Sequence, residues 1–143
     1  MKKIYFACSI SGGRDYAFVY KDLVEAIKKC GVEVKGEIFA DPNLEADLGT
    51  DPGSSPRFIW ERDAEWLSEV DALIAEASQP SLGVGYQVAR AEALHKPVLA
   101  LYYKKSVERF SWMISGSPAI QTVGYDEYAE AKKAIKDFIK RLG

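Results

Sequence analysis

Two polar turns in this chain carry the residue types that hold an anion. Ser9-Ile10-Ser11-Gly12-Gly13-Arg14 joins hydroxyls, glycine amides that allow close approach and one guanidinium just ahead of a helix, a set that suits a phosphate. A plain strand-to-helix turn with a solvated arginine has the same composition. No Gly-Lys-Ser/Thr ends the segment and Gly12-Gly13 lacks further glycine spacing, so it is neither a P-loop nor the dinucleotide fingerprint. A cofactor-binding dehydrogenase is disfavoured on that ground. The second turn is Ser81-Leu82-Gly83-Val84-Gly85-Tyr86-Gln87, where two glycines let the backbone pass close to a ligand while the following helix aims its amides at it. It reads as a second anion site, with a structural turn as the alternative.

The other reactive groups leave carboxylate chemistry. The single histidine, His95, stands beside Lys96-Pro97, where a helix C-terminal cap is expected, so neither a zinc cluster nor a Ser-His-Asp triad can be assembled. Asp63, Glu61, Glu76 and Glu92 are the candidates. Glu76 ends an expected strand and could face the ligand crevice, whereas Glu61 and Glu92 are expected on solvated helix faces. Trp60, Trp66 and Trp112 could stack on a base, although packing is the expectation for Trp66. Phe110, Trp112 and Met113 gather where few charges lie, an arrangement that could cover a partner subunit or the ligand. Cys8 and Cys30 match no paired metal motif and are expected to be buried free thiols in a reducing cytoplasm.

Positioning these groups falls to alternating strands and helices. Lys3 to Cys8 reads as a strand, Tyr16 to Cys30 as a helix stopped by Gly31, and Val32 to Phe39 as a second strand. Asp41 to Pro56 has the composition of a long loop. A helix is expected over Pro56 to Val70, a third and central strand over Ala72 to Ala77, then a Gly and Ser loop to Gly85 and a helix from about Tyr86 to His95. Pro97 to Tyr102 reads as a buried fourth strand, Ser106 to Ile114 as a short helix, Ile120 to Val123 as an edge strand and Glu127 to Leu142 as a closing amphipathic helix. Such alternation implies parallel pairing through right-handed crossovers. The expected fold is therefore α/β, a three-layer sandwich of flavodoxin-like or Rossmann-like order with a parallel five-stranded sheet. Loops at the carboxyl ends of its strands line the ligand crevice, and the first and third strands end in the two polar turns.

The 143 residues suit one domain spanning 1–143, and 48% apolar with 28% charged residues is a globular balance rather than a disordered one. Nineteen Lys and Arg nearly cancel 21 Asp and Glu, so the one-signed field used by binders of nucleic-acid polymers or membrane surfaces is missing. No apolar stretch approaches the roughly 20 residues of a membrane span, and no long apolar leader follows Met1-Lys2-Lys3. A cytoplasmic, soluble protein that binds a small nucleotide is the expectation.

Tyr5-Phe6, the Ser9 to Arg14 loop, Asp63 within WERDAEWL, Gln79-Pro80-Ser81-Leu82-Gly83-Val84-Gly85-Tyr86 and Ser111-Trp112-Met113-Ile114 resemble the 2′-deoxynucleoside 5′-monophosphate N-glycosidases, relatives of the nucleoside 2-deoxyribosyltransferases. The likeness runs over nearly the whole chain. It implies a flavodoxin-like fold, a homodimer, and cleavage of the bond between base and sugar in a nucleoside 5′-monophosphate with no metal or organic cofactor. By this resemblance Ser9, Ile10, Ser11, Gly12, Gly13 and Arg14, with Ser81 and Gly83, hold the 5′-phosphate. Ser111 reaches it from the neighbouring subunit, with Met113 alongside. Tyr5 sits beside the sugar and the nucleophile, and Asp63 positions or protonates the reacting groups. Ser11 stands where some relatives carry an arginine.

Gln87 is the larger departure, because the resemblance implies a glutamate there whose carboxylate attacks the anomeric carbon to give a covalent glycosyl-enzyme. An oxocarbenium-like transition state needs a nearby anion, and a neutral amide supplies neither charge nor a good nucleophile. Three readings stay open: a shape-conserving replacement introduced to trap substrate, a natural glutamine with a carboxylate such as Asp63 assuming the work, or a protein that binds nucleotides without cleaving them. A non-catalytic nucleotide-binding module and a nucleoside 2-deoxyribosyltransferase are the alternatives in function.

Overall fold

Local patterning becomes a sheet through parallel pairing. The computed structural model describes residues 1–9, 16–41 and 55–143. Strands β1 (Lys3–Ala7), β2 (Glu33–Lys35), β3 (Ala72–Glu76), β4 (Val98–Tyr103) and β5 (Ile120–Tyr125) form one parallel sheet in the order β2-β1-β3-β4-β5. That order selects the flavodoxin-like arrangement over the Rossmann one. Every residue of β3 is buried, as expected for a central strand covered on both faces.

Helices α1 (Ala17–Lys28), α2 (Pro56–Glu69), α3 (Leu82–Ala93), α4 (Trp112–Ser115) and α5 (Tyr128–Arg141) complete the layers. Alternate strand residues point to opposite faces. Ile4, Phe6, Ile74, Leu99, Leu101 and Tyr125 pack under α1 and α5 with Leu23, Ile27 and Ile135. Tyr5, Ala7, Leu73, Ala75 and Ala100 pack on the other side under Leu67 of α2 and Val84 and Val88 of α3. Burying each large aliphatic of these cores contributes about 1.5–3 kcal/mol.

Several elements differ from the sequence expectation, each for a local reason. β2 ends at Lys35 rather than Phe39 because Gly36 takes φ 81° and a 3₁₀ turn over Glu37–Ala40 follows. α3 starts at Leu82 rather than Tyr86 because the Ser81 hydroxyl accepts from the Val84 amide at 3.3 Å and caps the helix there. The expected helix over 106–114 is replaced by a 3₁₀ turn at Lys104–Ser106 and the short α4, capped by Ser111. Of the expected loop over 41–56, positions 42–54 lie outside the described residues. Ser55 and Pro56 cap and open α2, with the Ser55 hydroxyl 3.1 Å from the Phe58 amide. Cys8 is buried as expected, but Cys30 is only half-buried beyond the end of α1. Among the described residues no helix is long and apolar enough to cross a membrane.

Candidate active site

Strand register decides which side chains meet at the carboxyl end of the sheet. Tyr5 lies opposite Leu73 and Ala7 opposite Ala75, so Tyr5 faces α2 and α3. Glu76, one residue beyond Ala75, points the other way. It is fully buried, and its carboxylate accepts from the Ser78 amide at 2.7 Å, the Ser78 hydroxyl at 3.1 Å and the Tyr125 hydroxyl at 2.5 Å. The expectation that Glu76 faces the crevice is therefore overturned: it ties the end of β3 to β5 on the α1 and α5 side. Burial pushes its carboxyl pKa up, opposed by the three donors.

On the Tyr5 side, α2 and α3 bring together two groups 24 positions apart in sequence. The Gln87 amide nitrogen donates to Asp63 Oδ2 at 3.3 Å, and Arg62 Nε donates to Asp63 Oδ1 at 3.1 Å. An ionised carboxylate only accepts, so the Gln87 NH₂ must face Asp63 and Oε1 must point away. Oε1 is buried without a hydrogen-bond partner among the described residues, a state that costs about 1–3 kcal/mol unless a donor arrives. The Tyr5 hydroxyl also bonds Asp63. Burial first, and then the Asp63 charge, push its pKa well above the usual phenol value, so Tyr5 keeps its proton and donates.

Arg62, which sequence reasoning passed over, anchors this group. Its guanidinium lies 4.6 Å from the centre of the Trp66 ring, and that ring packs 6.4 Å from Tyr5, as the packing expectation for Trp66 requires. The only signal in the sequence was its adjacency to Asp63. Trp60 and Tyr86 form the outer wall: the Trp60 indole donates to the Tyr86 hydroxyl at 3.0 Å, and Arg90 lies 4.7 Å from the Trp60 ring.

Gly83 and Gly85 sit in the first turns of α3 rather than in a loop. A Cβ at Gly85 would meet nothing within 4 Å, and one at Gly83 would meet only the Ser81 hydroxyl at 3.8 Å. Packing by the described residues therefore does not require glycine at either position, although glycine inside a helix costs about 1 kcal/mol relative to alanine. A ligand approaching the helix end would account for that cost. The first amides of a helix lack partners within the helix and attract anions.

The remaining expected site residues are scattered. Ser9 is fully buried beyond β1, whereas Ile10, Ser11, Gly12, Gly13 and Arg14 lie outside the described residues. Ser111 and Met113 are exposed on α4, which packs chiefly on β5; within one chain they are not carried to the Asp63–Gln87 pair. Trp112 is exposed beside them with Arg109 over its ring, while Phe110 stacks on Tyr102 at 4.4 Å. Glu61 is solvated and pairs with Arg57 at 3.5 Å, as expected of a helix surface. Glu92 is partly exposed on α3. His95 closes α3 with φ 57°: its amide donates to Glu92 and the Lys96 amide to Ala91, the Schellman pattern of a helix end. Among the described residues no cluster of His, Cys, Asp and Glu could hold a metal. A shallow recess of about 320 Å³ lined by Pro97, Ile120, Phe138 and Arg141 opens at the opposite end of β4 and β5 and holds none of these groups.

Known proteins resemble this chain in sequence and in fold. The chain is 40% identical to the 5-hydroxymethyl-dUMP N-hydrolase of Rattus norvegicus over 129 residues, 90% of this chain and 78% of that one. It is 36% identical to the protein of the same name from Esox lucius over 143 residues, 97% of each. The structure of a Clostridium botulinum CMP N-glycosidase superposes with TM-score 0.65 at 20% identity, covering 94% of this chain and 98% of that one, which shows a common fold. Residues 4–134 match the family described as nucleoside 2-deoxyribosyltransferase, a span that holds all of the sheet but Lys3 and every side chain of the Asp63 group. With the sheet order, the matched span and these relatives in agreement, the chain belongs to the nucleoside 2-deoxyribosyltransferase family.

Proposed function

We propose that this chain is an enzyme that hydrolyses the N-glycosidic bond of (deoxy)nucleoside 5′-monophosphates, giving free base and sugar 5-phosphate. The observation that carries this reading is the Asp63–Gln87 contact over Tyr5, which sets a carboxylate, a phenol and an orphaned amide oxygen beside the capped start of α3. N-hydrolase relatives at 36% and 40% identity support the same reaction class. Ser81, Gly83 and Ser9, with the segment Ile10 to Arg14, take the 5′-phosphate in this reading, and Tyr5 and Asp63 take the sugar and the reacting groups. Carboxylate and water suffice for the chemistry, so no cofactor is invoked.

The active species is a homodimer of single-domain protomers spanning 1–143, in which Ser111 of one protomer completes the phosphate site of its partner. Exposed Trp112 and Met113, which follow Ser111 at the start of α4, support an interface there. The compartment is the cytoplasm, in line with the free cysteines Cys8 and Cys30. Chromatography of base release from a panel of ribo- and deoxyribonucleoside monophosphates tests the reading. Release from at least one monophosphate, and not from its dephosphorylated nucleoside, is the expected result.

The amide at position 87 favours a second reading, a nucleotide-binding module without turnover. Tight binding of monophosphates with no base released, by this chain or by its Gln87→Glu variant, would establish that reading instead. A 2-deoxyribosyltransferase would pass the sugar to an added base in preference to water.

A further inference from the structure

We propose that this chain cleaves its substrate by direct attack of water, with Asp63 as the general base and Gln87 Oε1 as the second acceptor that aims the water, so that the anomeric configuration is inverted. The inference rests on the N-hydrolase reading above and specifies how it proceeds with an amide at position 87.

Counting lone pairs leads to this assignment. The Asp63 carboxylate offers about four acceptor sites. Arg62, Gln87 and the Tyr5 hydroxyl fill three of them. One remains, and beside it stands the buried Oε1 of Gln87, without a partner among the described residues. A water molecule has two O–H groups and therefore matches this pair of acceptors, one on α2 and one on α3, with a lone pair left to attack. Gln87 cannot form the glycosyl ester that retention of configuration requires, because its amide is a poor nucleophile and its nitrogen is committed to Asp63. Glu76, the carboxylate that ends β3, lies on the opposite face in contact with Tyr125. Arg62 and Tyr5 act as positioning residues: they hold Asp63 in one orientation without touching the water.

The step balances without a co-reactant. The C1′–oxygen bond forms as the C1′–nitrogen bond breaks, and the bonding pair leaves with the base nitrogen. The water proton passes to Asp63, the departing base takes a proton from solvent on the opposite face, and Asp63 returns its proton to solvent to regain the carboxylate. Nothing is oxidised or reduced.

The full chain, incubated with a deoxynucleoside 5′-monophosphate in aqueous methanol, tests the proposal. Proton NMR identifies the anomer of the methyl glycoside 5-phosphate or, where only water is accepted, of the sugar phosphate in the first seconds. The substrate is the β anomer, so the α product is expected, together with no sugar adduct in the mass spectrum of acid-quenched protein. The β product, or a sugar adduct, would overturn direct attack while leaving the hydrolase reading intact. Absence of base release from every monophosphate would overturn both. Asp63→Asn should lower base release about 10²- to 10⁴-fold with monophosphate affinity within a few-fold, as expected when a general base is lost. Gln87→Glu should switch the product to the β anomer and yield an adduct; an α product from that variant would sink the claim that residue 87 sets the stereochemistry.

Discussion

Gln87 on α3 reaches Asp63 on α2 across 3.3 Å, and this hydrogen bond is the point where the two helices over Tyr5 share a reactive group. The contact fixes the amide so that nitrogen faces the carboxylate and oxygen faces away. In the proposed mechanism position 87 therefore stands beside the attacking water, and its amide oxygen is an acceptor rather than a nucleophile.

Gln87→Glu is expected to release base faster than the chain as given by at least an order of magnitude, each factor of ten being about 1.4 kcal/mol of barrier. Side-by-side chromatography of base release measures it. Equal rates would remove residue 87 from the mechanism.

Tyr5→Phe deletes the hydroxyl that donates to Asp63 while keeping the ring packed against Trp66. Base release should fall about 10- to 100-fold, with thermal stability changed by no more than about 1 kcal/mol, the usual net worth of one hydrogen bond. Parallel kinetics and urea titration separate the two effects. A large loss of stability with unaltered activity would make Tyr5 a packing residue only.

Ser81→Ala removes the hydroxyl that caps α3, which costs about 1 kcal/mol of stability. Calorimetry should also show weaker binding of a nucleoside monophosphate and unchanged binding of the corresponding nucleoside. Equal weakening for both would take Ser81 off the phosphate.

Glu76 predicts a pH dependence of known sign. Burial raises its pKa in the folded chain, so the native state holds the proton more tightly than the unfolded state. Stability then falls as pH rises from the ordinary glutamic acid value, about 4.3, through the raised folded value, and levels off above it. Urea titrations of the chain and of Glu76→Gln across that range should differ by this slope, with the variant flatter. A chain that gains stability relative to the variant over the same interval would show the opposite linkage. Tyr125→Phe, which removes one donor from the buried carboxylate, should cost about 1–3 kcal/mol.

Much of the fold is legible in the linear sequence because its signals are local. Apolar runs set β3 and β4, helical spacing sets α1 and α5, and the stop at His95-Lys96-Pro97 marks a helix end that the positive φ of His95 realises. Asp63 and Gln87 could be picked out as residue types suited to the reaction or opposed to it. That Gly83 and Gly85 lie inside a helix was hidden, because glycine and serine together have the composition of a loop and only the Ser81 cap turns the segment helical.

What the residues alone determined is the alternation of strands and helices and the inventory of chemical groups, since both depend on spacing within a few positions. Tertiary structure decided which groups meet. Pairing Tyr5 with Leu73 and Ala7 with Ala75 sends Glu76 to the far face, because a strand alternates sides at every residue. Packing α2 beside α3 joins Asp63 to Gln87 and seats Arg62 on Trp66. Such contacts depend on strand register and on how helices lie across a sheet, and neither is encoded within any short window of the chain.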